Sequence, residues 1–287
     1  MLKACAIAGM VIVASATSGC AAITGPGMGW HKQAKGQGPL RASSTKENGD
    51  EIRLLEEPTG IAAKADDAIV RIVTPNTTCT GTVIDQDGLI LTAHHCLVER
   101  GPKGEFEKRL IDPATIHVEI GGDYFAWADV PVEHIVAPPC GETGGSGDVA
   151  VLVLKRKLIG LTHKSARLHA APKAGEGVSV YGFGRCALNG DAIQRKNRQS
   201  SAVKNVLAET LTMDAAICPG DSGGPVISRR SGEVIGVVSL SAMDHDENTP
   251  GASVMARIDT YPLIVEHAKH IAEGSSPQEL PPLECKH

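Results

Sequence analysis

The feature that most constrains this chain is the segment Cys218-Pro219-Gly220-Asp221-Ser222-Gly223-Gly224-Pro225. A serine set among glycines can present its hydroxyl to a substrate carbonyl, because no neighbouring side chain blocks the approach. Gly220 lets the backbone bend so that its N–H, together with the N–H of Ser222, points at the carbonyl oxygen. Such donors stabilise the negative charge that develops in acyl transfer. The segment therefore predicts Ser222 as a nucleophile and the N–H groups of Gly220 and Ser222 as an oxyanion hole.

A serine hydroxyl is unreactive at neutral pH, so it needs a histidine base and a carboxylate that orients the histidine. Upstream, the segment Thr92-Ala93-His94-His95-Cys96 follows an apolar run, and Asp148 directly precedes the apolar run 149–154. Neighbouring side chains of an extended segment face opposite ways, so only one of the two histidines can serve. Asp148 is favoured because the run after it would bury its carboxylate. Its competitors for this role, among the acidic residues between the histidines and the serine, are Asp123, Asp129 and Glu142.

The order His95, Asp148, Ser222, with GDSGGP around the serine and Thr-Ala-x-His-Cys around the histidine, resembles the trypsin-like (chymotrypsin-fold) serine peptidases. The resemblance covers about residues 60–273. It implies a catalytic triad of His95, Asp148 and Ser222 in a serine endopeptidase, a hydrolase acting on proteins or peptides. The family places its base directly before the cysteine, which selects His95 over His94.

The fold class follows from many short runs rich in valine and isoleucine, separated by turn residues such as Asp87-Gly88 and Asn189-Gly190. Such runs without intervening helices predict an all-β protein. Strands are predicted over 68–74, 80–84, 89–92, 116–120, 130–136, 149–154, 178–181, 202–210, 225–228, 233–240 and 253–258. Apolar spacing over 260–273 predicts a terminal helix. The resemblance implies two packed six-stranded antiparallel β-barrels with a C-terminal α-helix.

The first 60 residues predict export followed by a tether. Residues 1–20 combine Lys3 with a short apolar run, as in a signal peptide, and Ser18-Gly19-Cys20 resembles a bacterial lipoprotein cleavage box with Cys20 as the lipidated residue. Ordinary secretion after cleavage near Ala21-Ala22 is the alternative. Residues 21–60 contain few apolar groups and predict a flexible tether. A peptidase domain over 61–275 and a tail over 276–287 follow, in a protein secreted or anchored to the bacterial envelope, touching a membrane only through the lipid.

The cysteines favour an oxidising compartment. Of eight, Cys5 and Cys20 belong to the signal, which leaves six for three bridges. The resemblance implies a Cys79–Cys96 bridge beside the catalytic histidine. The other four allow three pairings, of which Cys186–Cys218 is the first choice because both residues should flank the specificity pocket. That choice leaves the pair Cys140–Cys285.

The resemblance also identifies a substrate pocket. The residue six positions before the nucleophile, Ala216, sets the pocket floor, and with Ile217 it offers no charge for a basic substrate side chain. The wall segment Ser239-Leu240-Ser241 is expected to pair with the substrate backbone. Ser241 and Ser253 narrow the pocket, so we expect cleavage after small or medium uncharged residues. Asp214 is the one nearby acid that would reverse this preference toward lysine and arginine.

The role of Asp221 stays open in the sequence. In the trypsin branch this aspartate pairs with an N-terminal amine released by cleavage before an Ile-Val-Gly-Gly segment, and the chain has no such segment. Either other contacts hold the oxyanion loop, or Ile61 serves after an unconventional cut.

Other functions are weighed against the same residues. A net charge of −5 without a basic stripe argues against nucleic-acid binding, and no cofactor is implied. No metal site is expected, since the one histidine pair at helical spacing, His267 and His270, should be solvated. An inactive homologue that serves as a binding module is disfavoured because no member of the triad is missing. An esterase is disfavoured because Ser222 does not lie on a strand-to-helix elbow.

Overall fold

Short antiparallel strands dominate the computed structural model, which describes residues 51–53, 65–121, 126–139, 144–186, 194–241 and 249–283, all within one compact unit, Leu40–His287. The first nine strands are β1 Glu51–Arg53, β2 Ile69–Val73, β3 Thr78–Asp85, β4 Leu89–Thr92, β5 Val98–Arg100, β6 Phe106–Leu110, β7 His117–Ile120, β8 Ala128–Val136 and β9 Ala150–Leu154. The remaining elements are β10 Lys157–Ile159, β11 Val178–Gly182, β12 Lys196–Arg198, β13 Asn205–Val206, β14 Thr210–Ala215, β15 Pro225–Ser228, β16 Val234–Ser241, β17 Gly251–Arg257 and the helix α1 Pro262–Ala272. Short 3-10 turns occupy Ala65–Ala68, His94–Leu97, Pro113–Thr115 and Pro277–Glu279.

The first barrel is closed by six strands in the order β2-β3-β4-β9-β8-β7, and each neighbouring pair is antiparallel. Every residue of β4 and β9 is buried, which explains why both read as unbroken apolar runs. One face of these strands fills the barrel, with Ile90 and Leu152 in its core. The other face, with Leu91 and Val151, packs against residues of the second barrel and of α1.

The second sheet has seven strands in the order β12-β11-β15-β16-β17-β14-β13. Its two edge strands belong to one chain segment, residues 196–206, which pairs with β11 at its start and with β14 further on. Between the two strands, Ser200 bridges to Ala215, and the N–H of Ser201 donates to the carbonyl of Asp214 at 2.8 Å. Because the segment 196–206 forms both edge strands, the sheet closes into a second barrel. The predicted two-barrel fold with a terminal helix is confirmed, although the second sheet has seven strands where six were predicted.

Details of the secondary structure differ from the prediction. The strand predicted over 202–210 is only the two residues of β13, and β14 begins at Thr210. The β5–β6 hairpin was not predicted, because β6 carries three charged residues and exposed side chains instead of an apolar pattern. In α1, the expectation of two solvated histidines is wrong for His267, which is buried. No helix in the described ranges is long and apolar enough to cross a membrane.

Candidate active site

The two histidines follow β4 at the rim of the first barrel. Ala93 is extended, and the chain then turns through His94–Leu97, a turn in which all four residues are buried. A disulfide between Cys79 on β3 and Cys96 in the turn joins the turn to the barrel wall. Pairing of Thr92 with Ala150 brings the end of β4 beside the start of β9, where Asp148 lies two residues before the strand. The barrel register thus brings His95 and Asp148 together.

Asp148 holds His95 at two points. The carboxylate accepts a hydrogen bond from the His95 backbone N–H at Oδ1, 2.8 Å, and its Oδ2 lies 2.7 Å from His95 Nδ1. The Asp148 side chain is fully buried and that of His95 is 8% exposed. Ser239 Oγ also donates to Asp148 Oδ2, and it accepts the N–H of Gly145 at 2.8 Å. With Nδ1 facing the carboxylate, Nε2 is the ring nitrogen left to exchange a proton with a substrate group.

His94 is buried elsewhere and takes no part in this pair. Its Nδ1 has no hydrogen-bond partner among the residues that the structure describes. Burial lowers the pKa of His94, an effect that the charge of Asp148 opposes and that of His95 reinforces. His94 is therefore a neutral, buried imidazole at neutral pH.

Ser222 lies in a loop that contacts the end of β4. The carbonyl of Ser222 accepts the N–H of Thr80 at 2.8 Å, which ties the serine to β3. A β-carbon added at Gly223 would lie 2.2 Å from Thr92 Oγ1 and 2.8 Å from Ala93 N, so only glycine allows this approach. The serine is thereby fixed close to the histidine turn. Its side chain is partly exposed, and its Oγ makes no hydrogen bond within the described ranges.

The N–H groups of Gly220 and Ser222 are held in fixed orientations. The carbonyl of Pro219, in the peptide group that carries the Gly220 N–H, accepts the N–H of Arg185 at 2.9 Å. The carbonyl of Asp221, in the peptide group that carries the Ser222 N–H, accepts the N–H of Gly224 at 2.8 Å. A trans peptide directs its N–H opposite to its carbonyl. In the described part of the chain, neither the Gly220 nor the Ser222 N–H donates to a protein acceptor.

The sequence missed two residues that support this loop, Thr80 and Arg198, and it missed the side-chain role of Ser239, which it had placed in the substrate wall. Thr80 Oγ1 donates to the carbonyl of Gly220 at 2.7 Å and accepts the N–H of Phe183 at 3.0 Å. Arg198 forms a buried ion pair with Asp221, and the side chain of Ser239 supports Asp148. No sequence motif indicates any of these three contacts, because each joins residues on elements that are distant in the chain.

The predicted pocket residues lie along β14, β16 and β17. Ala216 and Ile217, which follow β14, are 1% and 8% exposed, and Ser239 is also buried. Ser241 pairs with Ser253 across the two strands, and their hydroxyl oxygens are 2.9 Å apart. Leu240, between the two serines of the wall, is 46% exposed.

Asp214 forms an ion pair with Lys204. Its carboxylate lies 2.5 Å from the ammonium of Lys204, in a pair whose side chains are 36% and 52% exposed. At the surface, the charge of Asp214 is therefore offset by that of Lys204, which lies in the segment 196–206 that closes the second barrel.

The β5–β6 hairpin covers one side of the histidine. The ring of Phe106 meets that of His95 edge to face, with centroids 5.6 Å apart, and the guanidinium of Arg100 lies 3.5 Å from the Phe106 centroid.

Of the remaining cysteines, Cys186 and Cys218 form the second disulfide in the structure. Cys140, Cys285 and Cys20 lie outside the described residues. Cys79, Cys96 and His95 place potential ligand atoms within 4.8 Å of one another, but the two sulfur atoms are joined in a disulfide and offer no thiolate to a metal.

Two β-barrels with a buried aspartate–histidine pair beside a glycine-rich serine loop define a chymotrypsin-fold serine protease. A family model described as Trypsin matches residues 60–263, and the chain belongs to that family. A Corynebacterium glutamicum protein described as an uncharacterized peptidase is 28% identical over 221 residues, covering 74% of this chain and 69% of that protein.

Solved structures share the fold at low identity. A scabies mite inactivated protease paralogue matches with a TM-score of 0.54 and 22% identity, covering 74% of this chain and 96% of that one. A Glu endopeptidase matches with a TM-score of 0.56 and 15% identity, covering 74% and 93%. Because one of these proteins is described as inactivated, the fold by itself does not decide whether a chain is active.

Proposed function

We propose that this protein is a serine endopeptidase that hydrolyses peptide bonds through an acyl-enzyme, with Ser222 as nucleophile, His95 as base and Asp148 as the carboxylate that orients the base. The observation that carries the proposal is the double attachment of His95 to a fully buried Asp148. This attachment fixes the imidazole tautomer with its proton on Nδ1 and leaves Nε2 as a proton acceptor. An isolated structural histidine would not need it.

In the proposed reaction, Ser222 Oγ attacks the substrate carbonyl while His95 Nε2 takes the hydroxyl proton. The carbonyl oxygen gains negative charge and receives hydrogen bonds from the N–H groups of Gly220 and Ser222. The protonated imidazole then gives its proton to the leaving amine, and the carbon–nitrogen bond breaks. Asp148 remains ionised and stabilises the imidazolium. A water molecule, activated by His95, hydrolyses the acyl-enzyme and restores Ser222.

The pocket supports cleavage after small or medium uncharged residues such as alanine, valine or leucine. Ala216 and Ile217, the proposed floor, are buried and carry no charge. Ser241 and Ser253, which we propose narrow the pocket, have hydroxyl oxygens 2.9 Å apart. A substrate lysine or arginine would be buried without a counter-ion, which is unfavourable. Asp214 does not relieve this cost, because it is paired with Lys204.

We propose that the protein acts outside the cytoplasm, since disulfides persist in oxidising compartments. A lipid on Cys20 would hold it at the cell envelope, and residues 21–60 would tether the domain. Mass spectrometry of the mature N-terminus tests the anchor: a diacylglycerol adduct on Cys20 supports it, and an unmodified N-terminus at Ala22 contradicts it.

A fluorophosphonate probe tests the nucleophile. The wild-type protein should be labelled once, with the adduct mapped to Ser222, and Ser222→Ala should abolish labelling. Ser201→Ala is a matched control, since Ser201 lies in the segment 196–206 and its hydroxyl contacts the backbone of Ala202 and Asp214. Labelling that persists in Ser222→Ala, or maps to another residue, would contradict the proposal.

A further inference from the structure

Asp221 carries a fully buried carboxylate that accepts three hydrogen bonds and forms an ion pair with a guanidinium. Its Oδ1 accepts the N–H of Gly184 at 2.8 Å and a guanidinium N–H from Arg198 Nη2 at 2.9 Å. Its Oδ2 accepts the N–H of Cys218 at 2.8 Å and lies 2.7 Å from Arg198 Nε. The side chains of Arg198 and Asp221 are 2% and 0% exposed. In the described residues, Arg198 is the charged side chain in contact with this carboxylate, and the other partners are backbone N–H groups.

The turn around Phe183 is shaped to receive this carboxylate. A β-carbon at Gly182 would lie 2.1 Å from Asp221 Oδ1, and one at Gly184 would lie 2.6 Å from Asp221 Cγ. Two glycines therefore leave the space that Asp221 fills. Burial raises the pKa of Asp221, while the guanidinium and the two backbone N–H groups lower it. A carboxylate that faces a permanent cation and accepts three hydrogen bonds stays ionised, because those contacts all favour the charged form.

Arg198 is connected to both peptide groups of the oxyanion hole. It contacts the side chain of Asp221, whose own carbonyl shares a peptide group with the Ser222 N–H. Arg198 Nη2 also donates to the carbonyl of Gly184. The Gly184 carbonyl shares a peptide group with the Arg185 N–H, and this N–H donates to the carbonyl of Pro219. The Pro219 carbonyl in turn shares a peptide group with the Gly220 N–H, so the orientation of that N–H is fixed as well. One internal arginine therefore supports both proposed donors.

We propose that Arg198 is a positioning residue that holds the oxyanion loop in its active form, so that the enzyme needs no newly cleaved N-terminus to become active. The inference rests on the proposed peptidase function and concerns its regulation. Arg198 supplies, from within the folded chain, the positive charge that a freed amine supplies in the trypsin branch. A freed amine would have to compete with this buried guanidinium for the same carboxylate.

The wild-type test asks which form of the chain is active. The full exported chain is treated with the fluorophosphonate probe, and intact mass with N-terminal sequencing identifies the labelled species. We expect labelling in chains that retain the residues before Ile61. Labelling confined to chains cut at Ile61, or at another position downstream of the signal-peptide cleavage site, would overturn the inference. No labelling of any form would contradict the proposed peptidase function, and the inference with it.

Variants test the positioning role. Arg198→Met should lower kcat by about a hundredfold or more, as loss of oxyanion alignment does, with little change in KM. Arg198→Lys should restore part of kcat at neutral pH and lose it again as the pH rises toward about 10, where lysine loses its charge but arginine does not. A wild-type kcat in Arg198→Met would overturn the inference, as would identical alkaline profiles for wild type and Arg198→Lys.

Arg195→Met is the matched control, because Arg195 forms a similarly buried ion pair with Asp67, 3.1 Å away, and does not contact Asp221. It should reduce stability while its kcat changes by less than about threefold. An equal loss of kcat in Arg198→Met and Arg195→Met would mean that Arg198 has only a general structural role, and it would overturn the inference. If Arg198→Met does not fold, Arg198→Lys and the labelled wild-type species still decide the outcome.

Discussion

Ser239 Oγ and His95 Nδ1 meet on the same carboxylate oxygen, Asp148 Oδ2. Ser239 lies on β16 in the second barrel, and Asp148 lies before β9 in the first. The hydrogen bond between them therefore links the barrel that carries the base to the barrel that carries the substrate wall. The assignment of Ser239 from sequence concerned its backbone, whereas the structure gives its side chain this second contact.

Ser239→Ala should lower kcat by about tenfold, because a hydrogen bond to a charged group contributes about 1.5–3 kcal/mol and part of that is felt in the transition state. Steady-state hydrolysis of a fluorogenic peptide measures the effect. Ser200→Ala, which changes a partly buried hydroxyl bonded to the carbonyl of Val178, is the control and should keep wild-type kcat. Unchanged kcat in Ser239→Ala would show that Asp148 does not need this donor.

The two adjacent histidines should differ sharply in their effect on catalysis. His95→Ala should reduce kcat on the order of a millionfold, because base and nucleophile act as a unit. His94→Ala should lose far less, since His94 has no bond to Asp148. Peptide hydrolysis by both variants, with folding checked by circular dichroism, makes the comparison. The reverse order of activities would mean that His94 is the base.

His94 should also make stability depend on pH. Its pKa is lowered in the fold by burial, while in the unfolded chain it is about 6.5. The unfolded state therefore binds the proton more readily than the folded state does. Burial of the neutral His94 imidazole thus favours the folded state fully above about pH 6.5, and this contribution to the free energy of unfolding is lost as the pH falls toward the lower folded-state pKa. Urea unfolding from pH 7.5 to 5.5 should show a smaller loss of stability in His94→Ala than in wild type.

The exposed His270 provides the control for this measurement, since its side chain is 59% exposed. His270→Ala shows how removal of a surface imidazole affects the same measurement. A constant difference in unfolding free energy between wild type and His94→Ala across this pH range would contradict the lowered pKa.

Cleavage specificity follows from the uncharged pocket. A positional-scanning library of fluorogenic peptides should show preference for alanine, valine or leucine before the cleaved bond. Ala216→Asp should raise the relative rate for lysine and arginine, because it supplies the buried acid that the floor lacks. Wild-type preference for lysine or arginine would contradict the uncharged pocket, and preference for phenylalanine or tyrosine would show that Ser241 and Ser253 do not narrow it.

The sequence predicted an all-β fold because the apolar runs of β4 and β9 and the turn residues between strands are local signals, and the resemblance to the trypsin-like family supplied the two-barrel arrangement. It selected His95, Asp148 and Ser222 because each lies in a short segment with its own pattern. It did not predict Arg198, since the segment 196–206 has no apolar periodicity and its place is set only when it closes the barrel. The pairing of Asp214 with Lys204 was missed for the same reason.

The most direct test of the account is cleavage of unlabelled peptides by the purified protein, followed by mass spectrometry. A defined mixture of peptides is incubated with wild type and with Ser222→Ala at equal concentration. The account predicts cleavage at internal bonds by wild type, after small or medium uncharged residues, and none by Ser222→Ala, whose kcat should be lower on the order of a millionfold. Intact peptides after incubation with folded wild type, or equal cleavage by both proteins, would contradict it.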